Sequence, residues 1–133
     1  MTDLKDALKG HTLAVLTAEG SMLVFDGRGV SDLHRLLSEE PQTLRGASVA
    51  DKVVGRAAAA LMMLGGVAEV YAEIVSDLAL SLPGDFAVKV TYDVSVPHIL
   101  NRTGTAWCPL ESVCRNCETA EQCLIEINKF FHK

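Results

Sequence analysis

Four cysteines fall in the last quarter of the chain, at positions 108, 114, 117 and 123, with the spacing C-x5-C-x2-C-x5-C. Four thiolates can hold zinc or an iron–sulfur cluster, and Cys114 and Cys117 make a plausible half-site. The outer spacings do not repeat a usual knuckle, and Cys123 falls on the apolar stripe of a helical pattern, where a cysteine behaves as a small hydrophobe. No cofactor or metal is therefore assigned from the sequence. Cys108, Cys114, Cys117 and Cys123 stay as an alternative ligand set for zinc or an iron–sulfur cluster.

Cys108 differs from the other three because Pro109 follows it. Proline suits the first position of a helix, which makes Cys108 the N-cap, and Glu111 falls at the third helical position, able to reach back to the cap N–H. The helix dipole favours a thiolate at Cys108, and a nearby Glu111 opposes it. Nucleophile, metal ligand and pocket-lining sulfur all remain open. His98 is the nearest histidine in sequence, and Asp51 is the other candidate for moving a proton.

Just before this turn, Asn101, Arg102, Thr103, Gly104 and Thr105 could offer amides, hydroxyls and a guanidinium to an anion. The segment has neither a P-loop pattern nor a Rossmann glycine series, and turn formation by itself accounts for Asn and Gly. A second basic feature lies upstream. Lys52 and Arg56 are four residues apart in a stretch that reads as one long helix capped by Ser48, with Asp51 in its first turn. Two cations near a helix start would be relieved by a bound anion, by Asp51, or by water. Gly55 between them would admit a ligand or a neighbouring backbone.

The elements that must position these groups follow from periodicity. Residues 2–9 suggest a short helix through Leu4 and Leu8, and strands near 12–17 and 21–25 suggest a hairpin. Leu33, Leu36 and Leu37 mark a helix ended by Pro41. The long helix uses Val53, Val54, Ala57, Ala58, Leu61 and Leu64 and stops at Gly65-Gly66. A strand is expected near 67–71, a helix from Ser76 to Leu82, strands near 86–92 and 96–100, and a last helix facing inward through Ala120, Cys123, Leu124, Ile127 and Phe131. Trp107 and Phe130-Phe131 read as packing or contact residues. Strands alternating with helices imply an α/β domain, a mixed sheet covered on both faces.

Composition narrows the function classes. With 49% apolar and 22% charged residues the chain can build one core, so neither disulfides nor a metal is needed merely to fold it. A formal charge of −5 gives no general attraction to nucleic acid or to an anionic membrane. The start does not read as a secretory signal, and the longest uncharged run, Ala57–Ala68, is too short to span a bilayer. Reduced thiols and a cytoplasmic location are expected.

Two segments, "VADKVVGRAAAALMMLGGVAEVYA" at 49–72 and "HILNRTGTAWCPLE" at 98–111, resemble a small family of uncharacterised bacterial and archaeal proteins with the cytidine deaminase-like fold. The resemblance runs from about residue 10 to 112, and the cysteine-bearing tail at about 112–133 departs from it. It implies a single three-layer α/β/α domain over 1–133, with the helix starts near 50 and 109 facing one pocket. Asp51, Lys52, Gly55 and Arg56 would then meet Asn101, Arg102, Thr103 and Cys108. Deaminases of this superfamily set a His or Cys and x-Glu on the first of these helices and Pro-Cys-x-x-Cys on the second. Val49-Ala50-Asp51-Lys52 and Cys108-Pro109-Leu110-Glu111 lack that zinc signature.

The leading expectation is a protein that binds a small anionic or nucleotide-like metabolite through Lys52, Gly55, Arg56, Asn101, Arg102, Thr103 and Gly104, without zinc-dependent deamination. One alternative is an enzyme using Cys108 with Asp51. The other is a homo-oligomeric structural or regulatory module. No nucleic-acid or membrane partner is expected.

Overall fold

Val49, Val53 and Val54 are β-branched, and their side chains fit a pleated surface better than a helix. In the computed structural model, which describes residues 2–132, Ser48–Val54 is accordingly a strand, β3, where the sequence suggests the first turns of a helix. It is the middle of a five-stranded sheet ordered β2-β1-β3-β4-β5. The hairpin of β1 (Leu13–Leu16) and β2 (Met22–Phe25) is antiparallel and joins β3 antiparallel, with Val15 opposite Val49. On its other side β3 runs parallel to β4 (Glu69–Ser76), and β4 parallel to β5 (Val90–Val96).

The hairpin lies where the sequence places it, whereas β4 runs further than the expected 67–71. Phe86–Lys89 is a helical turn, α6, and β5 starts only after it. No separate strand forms over 96–100: Val96 ends β5, and loop follows from Pro97. That loop is held by an isolated bridge between Leu100 and Trp107.

Helices cover both faces, giving three layers and a mixed sheet. On one face α1 (Thr2–Leu8) sets Leu4 and Leu8 against Ala14, Ala50 and Tyr71. The other face carries α2 (Ser31–Glu39), α3 (Pro41–Leu44), α4 (Arg56–Gly65), α5 (Asp77–Leu80), α7 (Pro109–Cys114) and α8 (Ala120–Phe131). Four consecutive alanines at 57–60 give α4 its helical preference, and their small side chains let it sit in the core with neighbours all round. It ends as the sequence suggests, with Gly66 in the left-handed conformation at φ 74°.

Ser76 caps α5, accepting from Ala79 N at 3.0 Å. The last helix packs on α4 through Ala120, Cys123 and Ile127. Phe131, expected inward, is exposed instead and stacks on His34 of α2, whose Nε2 lies 2.7 Å from Asn128 Oδ1. Among the described residues no helix is long and apolar enough to cross a membrane.

Candidate functional site

The short turn between α7 and α8 folds Cys114 and Cys117 back against the first turn of α8, where Thr119 accepts from Gln122 N at 3.1 Å and fixes the helix start. Cys123 then faces the other two. The sulfurs of Cys114, Cys117 and Cys123 all lie within 4.8 Å of one another, and all three residues are buried. They are free thiols. Cys108, the fourth cysteine, stands outside this group. Three sulfurs converging at that spacing can close on one thiophilic metal ion, because metal–thiolate bonds of about 2.3 Å reach a common centre.

Arg56 stands beside the cluster. Its guanidinium donates through Nε, at 3.2 Å, and through Nη2 to the carbonyl of Cys117. Nη1 donates to Leu78 O at 2.8 Å and to Ser81 Oγ at 3.1 Å. This arginine is buried, yet among the described residues no carboxylate pairs with its side chain. A buried cation held only by carbonyl and hydroxyl dipoles favours negative charge nearby. The thiols respond accordingly. Hydrogen bonding from Cys114, with help from Cys117 and Arg56, lowers Cys123 to about 7 against the opposing effect of burial. Cys114 is raised by its hydrogen bond to Cys123 and by burial, and burial and the charge on Cys123 push Cys117 up to about 11. Of the three thiols, Cys123 is thus the one that gives up its proton most readily.

The residues singled out in the sequence separate into three places. Lys52 and Arg56 do not share a helix face. Lys52 lies on β3, where strand alternation turns it away from the side that Asp51 faces, and Arg56 opens α4. Asp51 pairs in register with Leu13 and Ala72, both in the large core, so it points towards the helices instead of occupying a helix's first turn.

Asn101, Arg102, Thr103 and Gly104 form an exposed loop that bonds to itself. Asn101 N donates to Ala106 O at 2.8 Å, Thr105 N to Asn101 Oδ1 at 3.0 Å, and the hydroxyls of Thr103 and Thr105 are 2.7 Å apart. Gly104, at φ 70°, makes the turn. Beside the loop, His98 stacks on Trp107 at 4.1 Å.

Cys108 is the N-cap of α7, as Pro109 implies, but its N–H goes to Ile99 O at 2.9 Å. Glu111 does not reach back to it. The carboxylate crosses instead to the start of α4, where Oε1 accepts from Arg56 N at 2.8 Å and Oε2 from Ile99 N at 2.9 Å. This is the one role the sequence reading missed entirely. A helix that starts on glycine brings no capping side chain of its own and takes its acceptor from elsewhere, and nothing local in the sequence names Glu111 as that acceptor.

Gly55 explains itself in the same contact. A Cβ there would sit 2.9 Å from Glu111 Oε1 and 3.2 Å from Ile99 Cγ1. Because two hydrogen bonds pin that carboxylate, Gly55→Ala is expected to cost about 1–3 kcal/mol, read as a lower urea midpoint at unchanged slope.

Gly55, Cys108 and Glu111, with Val53, Ile99 and Leu110, also line a small, mainly apolar cavity of about 90 Å³. Asp51 is not among the residues that line it; its Oδ1 accepts from the N–H of Val53, which is, at 3.4 Å. Burial pushes Asp51 up to about 7 from 3.8, against the N–H donors of Val53 and Lys52. The folded protein therefore holds a proton that the unfolded chain has released. The stability from this group is complete below about pH 4 and is lost as pH rises towards and through 7, at up to about 1.4 kcal/mol per pH unit. Urea unfolding between pH 4.5 and 7.5 should show the fall in the parent protein relative to Asp51→Asn.

Sheet, layers and converging thiols together define a three-layer α/β domain with a buried cysteine cluster on its helical face. The chain belongs to the DUF1893 family: the profile described as "TM1506: Domain of unknown function (DUF1893)" matches residues 4–131. A crystal structure of a DUF1893 family protein (TM1506) from Thermotoga maritima has the same fold. The TM-score is 0.83 at 23% identity, covering 98% of this chain and 92% of that one. No curated protein matches.

Proposed function

We propose that this protein binds one thiophilic metal ion of the zinc class through Cys114, Cys117 and Cys123. The observation that carries the reading is the convergence of three free, buried thiols within 4.8 Å. Arg56 supports it, since a buried cation offsets the negative charge that three thiolates bring. We prefer this reading to an anion pocket at Arg56, because the Arg56 donors already serve Cys117, Leu78 and Ser81. In keeping with the earlier resemblance, we read the fold as cytidine deaminase-like. Its support is the meeting of the starts of α4 and α7, where Glu111 and Gly55 stand in place of metal ligands.

Reduced protein is expected to take up one equivalent of Zn²⁺, counted by native mass spectrometry. Cys123→Ser should lower the affinity by about a hundredfold or more, and Cys108→Ser should leave it unchanged. Failure to bind zinc, or an equal loss on changing Cys108, would remove the reading.

A second reading follows from the half-buried Cys108 at a mainly apolar cavity, with Asp51 bonded to the N–H of Val53 in its wall: a thiol-dependent reaction on a small apolar substrate. Its check is the rate of iodoacetamide labelling at Cys108. A rate that follows Asp51 protonation, and loses that dependence in Asp51→Asn, supports it; a rate indifferent to Asp51 opposes it.

A further inference from the structure

The three sulfurs are not equally enclosed. Cys114 and Cys123 are completely buried, whereas Cys117 keeps 8% of its surface. Cys117 also borders an open depression of about 330 Å³, whose rim carries Val113, Asn116, Gln122, Ile125 and Glu126. Among the described residues no fourth cysteine, histidine or carboxylate joins the group of three. Zinc in protein sites takes four ligands, and a site with three from the protein keeps its last position for water or another small molecule.

Charge narrows what that molecule can be. Three thiolates around a divalent ion leave one negative charge, which Arg56 offsets. The rim adds Glu126, itself paired with Lys129 at 3.2 Å, and contributes no unpaired cation. An anionic ligand would bring negative charge to an already balanced site, so a neutral donor is preferred.

We propose that the metal held by Cys114, Cys117 and Cys123 has its fourth position open to the depression beside Cys117, where it takes a small uncharged nitrogen donor of the imidazole type. This rests on the three-thiolate reading. Cobalt(II) provides the probe, because its d–d absorption reports its ligands directly. Reduced full-length protein should bind one equivalent of Co²⁺ with thiolate-to-cobalt charge transfer. Added imidazole should then shift the d–d bands saturably, and acetate should not.

Ile125 is 56% exposed on the rim, so Ile125→Trp can fill the depression without entering the core. That variant is expected to retain cobalt and to bind imidazole at least tenfold more weakly. If cobalt binds but imidazole moves no band, the chain itself completes the coordination and the inference fails while the metal site stands. If Ile125→Trp binds imidazole as well as the parent does, the open position does not face this depression. Absence of cobalt uptake would overturn the three-thiolate reading and this inference with it.

Discussion

Glu111→Ala is expected to destabilise the fold by about 2–5 kcal/mol, because one buried and one part-buried N–H group lose their acceptor and an unsatisfied buried group costs about 1–3 kcal/mol. Both donors are backbone, Arg56 N and Ile99 N, and neither can turn to water without moving α4 or the loop that carries Ile99. The carboxylate also sits where the N-terminal ends of two helices meet, since it belongs to the first turn of α7 and caps α4. Removing it therefore loosens two elements together. In a domain of this size the change corresponds to a fall in Tm of roughly 10–20 °C. Glu111→Gln separates shape from charge. It keeps one carbonyl acceptor and sets an NH₂ against the second N–H, so an intermediate loss is expected. Full stability in the glutamine variant would mean that the two contacts do not hold α4 and the Ile99 loop together.

The second large effect is expected at Arg56. Arg56→Met conserves much of the side chain's bulk but strands the buried carbonyl of Cys117 and takes one of two donors from Leu78 O, which keeps Ser81 Oγ at 3.3 Å. Hydrogen bonds from a charged donor are worth about 1.5–3 kcal/mol each, so a loss of about 3–5 kcal/mol is expected after repacking. Arg56→Lys should recover only part of it, since one ammonium cannot reproduce the fork that spans Cys117 and Leu78. Ser81→Ala removes two hydrogen bonds at an exposed position, one accepted from Arg56 Nη1 and one donated to Leu78 O, and should cost about 1 kcal/mol. A metal readout distinguishes a purely structural arginine from one that also balances the cluster. Arg56→Met should weaken Zn²⁺ binding about tenfold in competition with a chelator, with Arg56→Lys closer to the parent. Equal zinc affinity in all three would confine Arg56 to packing.

Much of the fold is legible in the residues, and the largest failure has one origin. The β1–β2 hairpin, α2, the Ser76 cap, the Gly65-Gly66 stop and the Cys108-Pro109 helix start are all local signals, and all are met. Residues 48–64 defeated periodicity because apolar residues occupy most positions on every side of Asp51, Lys52 and Arg56, a pattern that fits a buried strand as well as a buried helix. Gly55 was the boundary. Taken as helix interior, it joined β3 to α4, put Lys52 and Arg56 on one face, and suggested an anion site.

The cysteine cluster was half visible. The four positions stand out in the sequence, but which three meet depends on the turn between α7 and α8, and only the fold sets Cys108 apart. The part played by Glu111 was out of reach for a different reason, since its partner N–H lies 55 residues away in sequence.

That separation bears on the order in which the molecule can be completed during synthesis. The whole of α4 has been made by residue 65, yet its first amide waits for Glu111 and its guanidinium for the carbonyl of Cys117. At about 5–20 residues per second these partners leave the ribosome several seconds later. Until then the central helix has an open end and a cation with few acceptors, so the emerging sheet cannot seal around it. The cysteine-bearing segment therefore acts as the clasp of the nascent chain, and the moment at which the fold closes is also the moment at which its three thiols first come together.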